Sequence, residues 1–217
     1  MLVAVIGLGT FGAKTAIGLH DKGAEVMAID MDETLVDKIK DKVTHAVALN
    51  VIDERSLRAI NITEVDAALV AIGDNIEMSI MAVAMLRKMG VGRVIARAIS
   101  SLHEHILHEI GASEIIKVEE EMGDIMASKI VAPHVLQSYT FAAGYTIAEM
   151  KMGKRYEGKT IVESKIKQNY GLNVVALQKK IPYITEDGRP AFKIEINDGP
   201  SPMDIIEADD IVVLAGS

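Results

Sequence analysis

The chain has 217 residues, 49% apolar and 25% charged, with 31 acidic and 23 basic side chains and a formal net charge of −8. Lacking any Lys/Arg block, this acidic balance speaks against nucleic acid as a main partner, because phosphate backbones are held by clustered cations; lacking cysteine, the chain has no disulfide framework, thiol nucleophile or cysteine metal site. No apolar run reaches the roughly 18–20 residues of a membrane-spanning helix and the start lacks the basic region of a signal peptide, so a cytoplasmic protein of one large domain, or one ordinary domain and a small one, is expected.

Residues 2–6 form an almost continuous apolar run, the pattern of a strand covered on both faces, and Gly7 ends it. Residues 10–22 carry Phe11, Ala13, Ala16, Ile17 and Leu19 near helical spacing and stop at Gly23. The alternation continues with strands expected over 24–29, 45–49, 66–72, 93–98 and 114–117, and helices near 32–40, 53–60, 75–89 and 101–110. Six strands alternating with helices predict an α/β fold, a Rossmann-like doubly wound parallel sheet. A helical pattern then runs from Glu119 to about Val135; Pro133 and Gly144 mark a change of regime, which puts a domain boundary near residue 138 and gives domains 1–138 and 139–217. Beyond it, β-type runs over 145–150, 173–178, 191–196 and 211–214 with one short helix over 161–166 predict a small α+β module, with turn chemistry at Asp187-Gly188 and Asp198-Gly199-Pro200.

The sharpest motif is Gly7-Leu8-Gly9-Thr10-Phe11-Gly12, a G-x-G-x-x-G run between a strand and a helix. Gly7 permits the tight turn, Gly9 lets backbone approach a pyrophosphate, and Gly12 lets the helix pack on the sheet while its first N–H groups face the anion. Asp30 ends the second strand, where a carboxylate accepts from both ribose hydroxyls and repels a 2′-phosphate, so an adenosine-containing nucleotide other than NADP is expected. Further contacts are expected from the carboxyl ends of neighbouring strands: Met31, Asn50, Val51, Ala71, Ile72 and Gly73. Asn50 reads equally as an adenine contact or a turn former, and Arg97 equally as a phosphate neutraliser or an ion-pair partner at its strand end.

A dehydrogenase needs an acid or base near the substrate carbon, usually from a second domain. All six histidines lie at or before His134, so residues 139–217 offer none. His103, His105 and His108 are read as a solvated helix face rather than a zinc site. Neither a G-x-S-x-G elbow nor a G-x-x-x-x-G-K-[ST] loop is present. Nucleotide binding without evident catalysis points to sensing. The alternative, an NAD-dependent oxidoreductase with a minimal second domain, fits the loop and Asp30 equally but lacks the acid or base; a transcription regulator lacks a basic recognition helix. Glu119, first of three consecutive glutamates at a helix start, reads as favourable N-terminal charge or as a ligand to a divalent cation on a nucleotide's phosphates. Methionines 78, 81, 85 and 89 make a helical stripe, expected in the core or at a subunit interface.

The residues Val5 to Gly12, Val26-Met27-Ala28-Ile29-Asp30, Ala71-Ile72-Gly73-Asp74-Asn75 and His108-Glu109-Ile110-Gly111-Ala112 leading into Val118-Glu119 resemble the regulatory subunits of bacterial and archaeal potassium uptake systems of the Trk/Ktr type, whose fold is the RCK domain (regulator of potassium conductance). Glu157-Gly158-Lys159-Thr160-Ile161 and Asn173-Val174-Val175-Ala176-Leu177 resemble the small C-terminal domain of the same family. The resemblance implies a cytoplasmic protein at the inner face of the membrane, assembling as homo-oligomeric dimers into a ring, an octamer, that gates a membrane-embedded potassium-translocating subunit. It implies an adenine nucleotide, ATP/ADP or NAD/NADH, on Gly7, Gly9, Thr10, Phe11, Gly12 and Asp30, and a divalent cation, Mg²⁺ or Ca²⁺, at Glu119. The helix from Glu119 resembles a crossover helix exchanged between dimer partners, and the small domain resembles one that binds cyclic di-AMP in some relatives. Some triphosphate-responding members carry a basic residue where this chain has Thr10; the hydroxyl leaves AMP open beside the other nucleotides.

Overall fold

A computed structural model describes residues 1–141, 144–185 and 187–217. The chain divides into two compact units, Met1–Met122 and Gly123–Ser217. Among the described residues no helix is long and apolar enough to cross a membrane.

The first unit is a six-stranded parallel sheet built from β1 (Leu2–Ile6), β2 (Glu25–Asp30), β3 (His45–Ala48), β4 (Ala67–Val70), β5 (Val94–Arg97) and β6 (Glu114–Ile116), in the order β3-β2-β1-β4-β5-β6. Its helices are α1 (Thr10–Asp21), α2 (Glu33–Asp37), α3 (Glu54–Ala59), α4 (Ile76–Lys88) and α5 (Ser101–Glu109). Successive side chains of a strand point to opposite faces, so β1 feeds two cores. Val3 and Val5 pack with Ala16 of α1 and Val36 of α2. Ala4 and Ile6 pack with Leu57 of α3, Ala82, Val83 and Leu86 of α4 and Leu107 of α5. That double cover explains why β1 and β4 are apolar at every position.

Two expectations about side-chain faces are corrected. The methionine stripe of α4 is only partly its core face: Met89 is buried in the core and Met78 and Met85 pack against it half-buried, but Met81 is exposed, and Ser79, Ala82, Val83 and Leu86 form the fully buried face. His103 is not solvated; it is 1% exposed beside Leu107 on the inner face of α5, four residues apart and hence on one stripe. His105 and His108 remain exposed.

A further helix, α6 (Val118–Val131), starts in the first unit and ends in the second. It buries none of its residues, and Met122, Ile125, Met126 and Ile130 are exposed. The division between the two compact units falls inside it. The helix also stops before Val135: Ala132 and Pro133 end it, and β7 (Val135–Thr140) follows, a strand the sequence pattern does not announce.

The second unit contains an antiparallel sheet in the order β10-β9-β11-β8-β7, with β8 at Thr146–Lys151, β9 at Asn173–Ile184, β10 at Pro190–Asn197 and β11 at Ile211–Gly216. The single helix expected over 161–166 is instead two short ones, α7 (Ile161–Ser164) and α8 (Ile166–Tyr170), because Lys165 between them takes a left-handed backbone, φ 53°. α7 opens with a reciprocal cap in which the Thr160 hydroxyl and the Glu163 carboxylate each bind the other's backbone N–H. Tyr156, Ile166, Leu177, Ile206, Val212 and Leu214 form the core.

His103 yields a test. Neither ring nitrogen has a hydrogen-bond partner, and burial pushes its pKa below the ordinary 6.5. With the folded pKa depressed, the unfolded chain takes up a proton first as pH falls below 6.5, so stability drops through the window below that value. Chemical denaturation at about pH 8 and about pH 5.5 should show a larger acid-side loss for the wild-type chain than for His103→Leu; equal losses would assign the effect elsewhere.

Candidate functional site

A cleft of about 680 Å³ opens at the carboxyl ends of β1, β2, β4 and β5. It straddles the point between β1 and β4 where the winding of the sheet reverses, the place where such sheets bind ligands. Its wall begins with the glycine loop. Gly7 has φ +91°, which suits glycine, and its N–H donates to the Ile29 carbonyl at 2.9 Å. A Cβ on Gly12 would lie 1.8 Å from the Gly7 carbonyl oxygen, so α1 meets the loop with no room for a side chain. A Cβ on Gly9 would meet nothing within 4 Å, which leaves that backbone open to the cleft.

The helix starts differ in a way that singles out α1. Asp32, Asn75, Asp53 and Ser100 each accept a backbone N–H with their side chains at the starts of α2, α4, α3 and α5. α1 starts at Gly9 with no side-chain cap and no acidic residue in its first turn. Its first N–H groups and the positive end of its dipole are left for an external anion.

Asp30 ends β2 facing this loop. Its Oδ2 accepts from the Leu8 N–H at 2.6 Å and its Oδ1 from the Asp32 N–H at 2.9 Å. The carboxylate is thereby fixed in direction while each oxygen keeps lone-pair capacity for a hydroxyl. Asp32 has its own partner, the Thr34 hydroxyl, which holds its carboxyl below the usual range.

On the other side, Arg97 ends β5. Its guanidinium lies against Gly73, where a Cβ would be 2.6 Å from Nη1, and 5.9 Å from the centroid of the Phe11 ring. Arg97 Nη2 donates to Glu119 Oε1, and this contact holds the Glu119 carboxyl below its ordinary value. The Arg97 Nε is buried without a partner. Of the two readings of Arg97, the ion pair is the one formed; the same guanidinium still lines the cleft. Asn50 is the turn former as well as a lining residue: its Oδ1 accepts from the Ile52 N–H at 3.2 Å.

Gly7, Gly9, Asp30, Met31, Asn50, Val51, Ala71, Ile72, Gly73, Arg97 and Glu119 are all brought to the cleft. Thr10, Phe11 and Gly12 are not in its lining: Thr10 is exposed on α1, Phe11 packs toward the core containing Val3 and Val5, and Gly12 is buried under the loop. Sequence reasoning missed the strand-end Ile6 and Ile29 and, beyond the strands, Asp32, Leu35, Leu49, Asp74, Asn75, Met78 and Ile99. Asp32 and Asn75 carried a readable signal as polar residues at helix starts, and caps of helices that follow the strands must sit at the rim. Among the described residues no group of three or more His, Asp or Glu is placed to hold a metal ion. Glu119 is in no such group, so a cation there would draw ligands from outside the protein as well.

Comparison with known proteins agrees with this architecture. The TrkA-N domain family matches residues 3–118. The chain is 32% identical over 214 residues to the Ktr system potassium uptake protein C of Bacillus subtilis (strain 168), covering 99% of this chain and 91% of that protein. Among solved structures, the GsuK RCK domain aligns with a TM-score of 0.57 at 20% identity, covering all of this chain and 44% of that one. The GsuK channel bound to NAD aligns with the same TM-score at 21% identity, with 36% of that chain covered. The chain thus spans less than half of the GsuK chains, and their likeness is one of fold, the RCK arrangement of a parallel Rossmann-like sheet followed by a smaller antiparallel one. Matched through its whole sheet by one family and almost end to end by a potassium uptake protein, the chain belongs to the TrkA-N family.

Proposed function

We propose that the chain is a nucleotide-sensing regulatory subunit of a Trk/Ktr-type potassium uptake system, acting by binding and not by turnover. The observation that carries this reading is the pairing of an uncapped α1 start with the Arg97–Glu119 contact across one cleft. The ligand is an adenine nucleotide, ATP/ADP or NAD/NADH, and the binding of NAD by the structurally similar GsuK channel supports it. Asp30 accepts from the ribose hydroxyls, and the α1 N–H groups near Gly9 receive the phosphates. The nucleotide supplies negative charge, for which Arg97 exchanges its hold on Glu119. Glu119 belongs to α6, so occupancy of the cleft is felt at the start of that helix. Glu119 once released is the residue assigned to a divalent cation, Mg²⁺ or Ca²⁺, shared with the phosphates.

In this reading residues 1–138 are the nucleotide-binding domain with its crossover helix, and residues 139–217 the C-terminal RCK domain. The exposed Met122, Ile125, Met126 and Ile130 of α6 suit burial against a second copy, in dimers that build an octameric ring on the cytoplasmic side of the potassium-translocating subunit. The match to the Ktr protein of Bacillus subtilis across 99% of the chain supports that partner. Gating follows as a population shift, no larger than the ligand's differential affinity for the two ring geometries.

Thermal melts with ATP, ADP, AMP, NAD⁺, NADH and NADPH, each with and without Mg²⁺ or Ca²⁺, test the reading. A ligand at about 100 times its Kd adds roughly 2.7 kcal/mol. Asp30→Ala should fold and lose that shift; a shift that survives, or turnover of a nicotinamide cofactor by the purified chain, overturns the proposal. The glycines separate folding from binding. Gly9→Ala, with φ −60° and open space around it, should melt within about 1 kcal/mol of wild type yet lose nucleotide binding, whereas Gly12→Ala should destabilise the unit itself. Glu119→Gln, which frees Arg97, should tighten nucleotide binding measured without divalent cations by about three- to tenfold, and weaker binding would show that the carboxylate does not compete.

A further inference from the structure

The C-terminal unit holds a second cavity, of about 560 Å³. Its floor is apolar: Met150 and Met152 from the end of β8 and beyond, with Ile166 of α8 and Leu172. Its rim is cationic. Lys151, Lys154 and Arg155 surround it, and the backbone bond from the Lys151 N–H to the His134 carbonyl, 2.9 Å, brings His134 to the same edge. Among the described residues no carboxylate lines this cavity, and none of Lys151, Lys154 and Arg155 forms an ion pair. In a chain of net charge −8, these three cations, without acidic partners among the described residues, stand together around an apolar floor.

We propose that this cavity binds a small amphipathic anion, with an aliphatic or aromatic body on the Met/Ile/Leu floor and a carboxylate or phosphate at the cationic rim. Arg155 is set for this by neutral partners. Its Nη2 donates to the Tyr170 hydroxyl oxygen at 2.9 Å and its guanidinium lies 4.5 Å from the centroid of the Tyr156 ring, so its direction is fixed by partners that carry no negative charge. The Tyr156 hydroxyl donates to the same oxygen at 3.4 Å, which leaves the Tyr170 O–H as the free donor of the pair. An apolar molecule alone would leave the cations unused, and a bare inorganic anion would leave the floor wet; the two halves of the cavity ask for one ligand that has both. The site stands independently of the nucleotide reading, since it shares no residue with the first cleft.

Titration of the full chain with 1-anilinonaphthalene-8-sulfonate, an aromatic anion, tests the site by fluorescence. One binding event per chain is expected, displaced by decanoate or decyl phosphate and not by decanol or acetate, which each supply only half of the chemistry. Displacement by decanoate points to a carboxylate head and by decyl phosphate to a phosphate head, and either result supports the site. The double variant Lys154→Gln/Arg155→Gln, both exposed positions, should weaken binding by about tenfold or more, while Asp30→Ala leaves it unchanged. Displacement by decanol as effective as by decanoate, unchanged binding in the double variant, or no binding of the dye overturns the proposal. The competition series needs no variant, so the site remains testable if the double substitution fails to fold.

Discussion

The close approach of Gly12 to the Gly7 carbonyl decides where α1 points. With a hydrogen at position 12, the first turn of the helix can lie directly on the loop that leaves β1, and its N–H groups open over the end of the sheet. Among the described residues no side chain caps them. Asp30 completes the constraint from the neighbouring strand, because the 2.6 Å bond to the Leu8 N–H ties the loop to the end of β2. Two strand ends, one loop and one helix start are thereby locked into a single concave wall, and the rest of the cleft is arranged around it.

The opposite wall is held by a weaker bond. The Arg97 side chain is 20% exposed, but that of Glu119 is 58% exposed, and a pair with one solvated partner contributes little net stability. A contact of that kind is suited to exchange: Arg97 can trade one oxyanion for another without the penalty of stranding a charge in a dry interior. Depth of burial thus separates the two walls, with the glycine loop fixed by packing and the Arg97–Glu119 side, in the proposed function, open to competition.

How much of this was legible in the sequence depended on how many faces of an element are covered. β1, β2 and β4 are buried on both faces and announce themselves as apolar runs, and the glycine spacing and Asp30 follow from them. β7 was not legible because its last four residues are exposed and it lies at a sheet edge, where no alternation is enforced. β9 runs on to Ile184, past Gln178, because β10 pairs with it through that stretch, although Lys179, Lys180 and Pro182 interrupt the apolar pattern; β11 pairs with it only as far as Gln178. The Arg97–Glu119 contact joins residues 22 apart, and only the adjacency of β5 and β6 brings them together. His103 carried a signal that was passed over, its spacing of four from Leu107.

The order of the parallel sheet has a kinetic side. β1 pairs with β4 at the centre, and the bond from the Leu2 N–H to Asp66 Oδ2 spans 64 residues of chain. Closing a loop of that size precedes any reward from the contacts it makes, so this pairing belongs to the slow, high-contact-order part of folding. The hairpin of β9 and β10, in contrast, closes on itself across a short turn. Because the cleft straddles β1 and β4, it comes into being only with that long-range closure, and a refolding chain that has made its local hairpin but not its central pairing has no cleft with which to hold a ligand.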